Sequence, residues 1–271
     1  MKFFGKLAKA RKSSRAGDAP SAVPPHLERV RSVQDCLDVF EAESMFSGGT
    51  ISDEVVSALY SHCTAMREQG MALEPNLIGR AVTHAVVEPA RAGEIALRFA
   101  SHDTDFVGFV TEADELLRFK RDIAHAEYLY WRALVLYPKH PLMLVQYAHS
   151  LKEQGKHPDS LTYYLDAAVF GAPMSDVEEH ALFVAGLLGL SSRVAVRLSA
   201  PLSIPCSSHV RALYELLIGH GPTITDTLHL MIEHKSIPSI VTALMGREEF
   251  CQANRDLLRL IVETQWSPAS A

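Results

Sequence analysis

The chain has 271 residues and little of what marks the commoner function classes. Its four cysteines, Cys36, Cys63, Cys206 and Cys251, include no CxxC pair, which excludes the usual zinc and dithiol motifs. Each sits in an apolar helical context and reads as a buried free thiol in a reducing cytoplasm. No apolar run approaches the roughly 18 residues of a membrane-spanning helix. The N-terminus is basic but lacks an apolar core of signal-peptide length. Positive charge is not in excess: the net charge is −6, which gives the body of the protein no grip on a nucleic-acid backbone. No GxSxG nucleophile elbow occurs. The glycines of SGG (47–49) follow a helical pattern and lack the lysine of a phosphate-binding loop, so they read as a helix–helix turn.

The thirteen histidines do not make a metal motif either. His229 and Glu233 lie one helical turn apart, with His234 adjacent and His220 upstream, but no tight His-Glu-two-His pattern falls on one helix. Cys206 and His209 have ligand spacing without a second pair nearby. The acid pairs Asp114-Glu115, Glu178-Glu179 and Glu248-Glu249 read as solvated faces or first-turn charges. No catalytic residue, metal or cofactor is expected, and the chain reads as a non-enzyme.

What is present is helix. Apolar residues make up 48% and charged residues 21%, the balance of a soluble globular protein. No β pattern appears. Residues 1–25 read as a basic tail and linker: Lys2, Lys6, Lys9, Arg11, Lys12 and Arg15 cluster there, followed by a Ser-, Ala- and Pro-rich stretch. Phe3, Phe4 and Leu7 would share one side of a short helix, so this tail is either disordered or a weak interfacial membrane anchor. An N-terminal helical region follows over 26–105, with a capping box at Thr50 and Asp53 and breaks or kinks at Pro89 and Gly93. Helices are predicted near 106–120, 123–137, 141–154, 158–170, 176–189 and 192–199, with a second capping box at Ser175 and Glu178. PLSIPCS (201–207) is a break. Three more helices fit 208–219, 224–234 and 237–263, the last splitting near Gly246.

The spacing inside 106–205 is regular. Ala126, Tyr130 and Ala133 are answered 34 residues later by Ser160, Tyr164 and Ala167. Between them stand Leu144, Tyr147, Ala148, Leu151 and Gly155, and Pro138 ends the earlier helix. This stretch resembles the tetratricopeptide repeat family, with two repeats (107–140 and 141–172) and a degenerate third. Asp114 departs from the pattern by occupying a small-residue position. The resemblance implies an all-α fold, a short helical solenoid flanked by N- and C-terminal bundles. It also implies a concave groove that takes a peptide or helical segment of another protein. The family's groove positions fall here on Thr111, Glu112 and Glu115 in one repeat and on Val145, Gln146, His149 and Lys152 in the next. Of the family's carboxylate clamp only Lys152 has a counterpart. The other reading of this face is that it packs on neighbouring helices.

Residues 210–250 are similar to a small bacterial helical module of unknown function, attached to surface-layer and glycosyltransferase proteins. Leu213-Tyr214, Leu217, Gly219, Pro222, Ile240, Leu244 and Glu249-Phe250 carry the likeness; His220 stands where the module has Arg. It implies a bacterial source and a surface-glycan context. The expectation is therefore a cytoplasmic adaptor that binds another protein at the inner membrane face and binds no nucleic acid, with residues 206–271 as a C-terminal module. A self-assembling scaffold (a homo-oligomer) and an accessory region of a glycosyltransferase whose catalytic part lies on another chain are the alternatives.

Overall fold

The computed structural model describes residues 88–200 and 205–256, together with 258, 259 and scattered positions between 35 and 83. The basic tail, the linker, the Thr50–Asp53 capping box, Cys36 and Cys63 lie outside the described residues. Among the described residues every regular element is helical, so the fold class is all-α. The elements are α1 (Pro89–Ala100), α2 (Thr104–Glu115), a π-helical turn (Leu116–Lys120), α3 (Ile123–Leu136), α4 (Pro141–Glu153), α5 (His157–Val169), α6 (Met174–Leu187), α7 (Ser191–Ser199), α8 (Ser207–Ile218), α9 (Ile224–Glu233), α10 (Ile237–Met245) and α11 (Glu248–Ala253). None is long and apolar enough to cross a membrane.

The chain divides into two compact units, residues 1–144 and 145–271, with the division inside α4. In the first unit Pro89 opens α1, where its missing N–H is no loss. The Glu88 side chain accepts from the Arg91 N–H and caps the same turn. Gly93 does not break this helix; it lies buried in its interior. Asp103 caps α2 by accepting from the Asp105 and Phe106 N–H groups. Its carboxylate also accepts from Arg80 Nε at 2.7 Å and from the Tyr137 hydroxyl at 3.0 Å. Burial would raise the Asp103 pKa, but these hydrogen bonds and the Arg80 charge outweigh it and hold the carboxylate below its ordinary range. One fully buried acid thus ties the helix start to the end of α3. Helix α3 packs along α2, and Ala126, Tyr130 and Ala133 are all fully buried. Asp114, out of pattern in the sequence, accepts from the Tyr130 hydroxyl at 2.7 Å. The misfit is therefore a paired acid, and burial raises its pKa.

Helices α3, α5 and α7 begin at Ile123, His157 and Ser191, each 34 residues after the last. Helices α4 and α6 end alike. Gly155 (φ 73°) and Gly189 (φ 71°) take the left-handed conformation. The following N–H, of Lys156 or Leu190, bonds back to the Leu151 or Ala185 carbonyl. That is the Schellman stop, and only glycine adopts it without strain. Between α4 and α5 the Ser160 hydroxyl donates to the Ala148 carbonyl at 2.8 Å, and Tyr164 and Ala167 are fully buried. The Ser175–Glu178 capping box does not form. Pro173 holds the cap position, so Ser175 falls inside the first turn of α6, where its hydroxyl donates to Asp176.

Helix α9 packs on α5 and α7, so residues on both sides of 205/206 share one compact unit. Asp166 of α5 accepts from the backbone N–H and hydroxyl of Ser207 at the start of α8. Arg197 of α7 donates to the Met231 carbonyl at 3.1 Å. Arg247 reaches the Tyr214 hydroxyl at 2.9 Å and Asp226 at 3.1 Å, joining α8, α9 and the α10–α11 turn. Cys206 is buried as expected. Cys251 is instead exposed on α11, because this short helix turns that position outward.

Candidate functional site

Of the expected groove residues, Thr111 is half-buried on α2 and Glu112 and Glu115 are exposed there, all in the first unit. Val145, Gln146, His149 and Lys152 belong to α4 in the second unit. Val145 is only 3% exposed and is part of the core. Gln146, His149 and Lys152 are half-buried, and Lys152 Nζ pairs with Glu153 at 3.3 Å.

His149 is the centre of a cluster that spans three helices. Its Nδ1 meets the Tyr164 hydroxyl of α5. Its ring meets His180 of α6 edge-on, with centroids 4.4 Å apart. His180 in turn stacks near-parallel to Tyr164, at 6.0 Å and 17°. Burial first, then the nearby His180 and Lys152, depress His149 to about 4. Burial and Lys152 also lower His180, opposed by Glu179, Asp176 and Glu153. Burial raises the Tyr164 phenol, so its O–H is retained. His149 is then neutral at pH 7, with one ring nitrogen donating and the other accepting.

Beside this cluster the surface of α6 is apolar. Phe183 is 58% and Leu187 55% exposed, and with His180 they fall at i, i+3 and i+7, one stripe of the helix. Sequence reading did not reach these three residues, because 175–205 loses the repeat signature. The signal was the period itself: His180 lies 34 residues after Gln146, and Phe183 lies 34 after His149.

No family model, no curated protein and no solved structure matches the chain. What the arrangement can do is set by its own chemistry. It holds neutral hydrogen-bonding groups, one lysine and two exposed apolar side chains. The hydroxyl that meets a base, Tyr164 beside His149, is fully buried, and no group of His, Cys, Asp and Glu suited to a metal occurs among the described residues. Cys206 does meet His209 Nδ1 at 3.3 Å. Burial raises that thiol's pKa, which is the opposite of what a nucleophile requires. The pair instead caps α8 reciprocally. A second exposed surface lies on α3 in the first unit. Tyr128, Trp131 and Val135 are exposed there, and the Arg132 guanidinium sits 4.6 Å over the Phe109 ring.

Proposed function

We propose that the chain is a non-catalytic interaction adaptor, binding a peptide or helical segment of another protein on the α4–α6 face of its second unit. The observation that carries this reading is the His149–His180 contact, which joins the polar edge of α4 (Gln146, Lys152) to the exposed Phe183–Leu187 stripe of α6. Apolar anchors beside a few fixed donors are what a helical or extended partner needs. The 34-residue spacing of the second helices and the two matched glycine stops support a short tetratricopeptide-like solenoid as the scaffold. A role in surface-glycan assembly at the inner membrane face, including service to a glycosyltransferase, rests on the resemblance over 210–250.

The test is a double substitution, Phe183→Ser with Leu187→Ser. Both side chains face solvent, so unfolding free energy should move by no more than about 0.5 kcal/mol each. A partner cross-linked in the native host, then purified, should bind the variant at least about tenfold more weakly by calorimetry, since burying a Phe or Leu is worth ~1.5–3 kcal/mol. Unchanged affinity would refute the site. Self-assembly is a second reading, favoured by the Tyr128, Trp131 and Val135 stripe with Arg132, a composition typical of interface anchors. Light scattering across a concentration series separates the two: a dimer that Trp131→Ser dissociates would favour the scaffold.

A further inference from the structure

The π-helical turn after α2 forms a tip of unusual chemistry. Its sequence from residue 118 is Arg118, Phe119, Lys120, Arg121, three cations around one aromatic. All four side chains are exposed, and Phe119 is 74% exposed, far beyond what a structural aromatic shows. None of the three cations makes an ion pair among the described residues. Arg118 instead lies 5.8 Å from the Phe119 ring centroid. Of the neighbouring acids, Asp114 accepts from Tyr130 and feels the Arg118 charge, Asp122 caps α3 through the His125 N–H, and Glu115 is exposed one turn before Arg118. Arg121 holds a left-handed conformation, φ 53°, that ends the turn. The backbone therefore fixes this tip.

Exposed cations surrounding a protruding apolar group match one kind of surface, an anionic lipid bilayer. The cations approach the headgroups while the phenyl ring enters the acyl boundary. A nucleic acid would need a basic track along its backbone. Here the cations form a single point rather than a track, and the apolar ring at its centre has no counterpart in a phosphate backbone. We infer that Arg118, Phe119, Lys120 and Arg121 form a docking tip for anionic membrane surfaces. The tip belongs to the first unit and does not depend on the α4–α6 reading.

Full-length protein would be sedimented with phosphatidylcholine vesicles carrying phosphatidylserine, and with phosphatidylcholine vesicles alone. Binding is expected to the first and not the second, weakening as salt rises. Phe119→Ser should lower the partition coefficient roughly tenfold or more. Arg118→Gln and Lys120→Gln should each lower it about fivefold, while Phe119→Trp retains it. All variants carry the same N-terminal basic cluster, so it contributes a constant background, and circular dichroism verifies that each is folded. Absence of wild-type binding to the serine-containing vesicles would overturn the inference. So would tip variants that sediment like wild type, or variants that lose affinity for a single-stranded oligonucleotide but not for vesicles.

Discussion

Replacing His149 by Gln tests the central cluster through its pH dependence. The folded His149 sits at about 4 against an ordinary 6.5. That displacement corresponds to about 3 kcal/mol between imidazole and imidazolium. The sign is fixed by which state takes the proton first. Above pH 6.5 the imidazole is neutral in both states. Between 6.5 and 4 the unfolded chain binds a proton and the folded chain does not, so stability falls as pH falls through that window. His140, depressed to about 3 by burial, and His180, also depressed, act in the same direction. Asp166, raised to about 6 mainly by burial, acts oppositely, since the folded state protonates first. Gln cannot titrate, but its amide can hydrogen-bond the Tyr164 hydroxyl in either direction. Urea unfolding followed by far-ultraviolet circular dichroism, from pH 7 to pH 4, would be run on both proteins. The difference between them cancels the distant groups, keeps the His149 titration with its coupling to His180, and should leave wild type about 3 kcal/mol worse at pH 4 relative to pH 7. Parallel curves, within about 0.5 kcal/mol, would refute the placement of a neutral, desolvated imidazole between Tyr164 and His180.

Ala167→Glu would place an unpaired carboxyl at a fully buried position. A cost of several kcal/mol is expected, seen by calorimetry as a melting point lowered by roughly 10 °C or more. An unchanged melting point would refute the burial between helices. Asp103→Ala removes the acceptor shared by Arg80, Tyr137 and the α2 cap. It should cost about 3–5 kcal/mol by urea unfolding, whereas Tyr137→Phe, which removes one hydrogen bond, should cost ~1 kcal/mol.

The helices were legible because their stops are local. Pro138, Gly155, Gly189, Gly219 and Gly246 each sit at a helix end that single-residue chemistry dictates, and the expected helices from 106 to 245 fall within a few residues of the observed ones. The failures are where tertiary structure competes with local preference. Ser175 is a good cap residue, yet Pro173 takes the position, because its fixed φ and missing N–H suit the residue before the first turn. Gly93 is a poor helix residue, yet it is buried inside α1, where loss of a side chain is compatible with close packing. The π turn could not be read at all. Leu116 to Lys120 has an ordinary helical composition, and its unusual hydrogen bonding is visible only in coordinates.

The candidate site was half legible for the same kind of reason. A family pattern reports residues that pack, since those are constrained by shape, and it found Ala148, Tyr164 and Ala167, all fully buried. Residues that face outward have no such constraint, so the pattern fades on the exposed faces. His180, Phe183 and Leu187 stand in the stretch where the signature is lost. The backbone period survives there, because the Schellman stops at Gly155 and Gly189 fix helix length whatever the outward side chains are. Carrying Gln146 and His149 forward by one period lands on His180 and Phe183. The same step carries Val145, a core residue, to Glu179, which is exposed. Period predicts position on a helix, and burial depends on what packs against it, so a periodic sequence locates a surface before it can say which of its residues are free to bind.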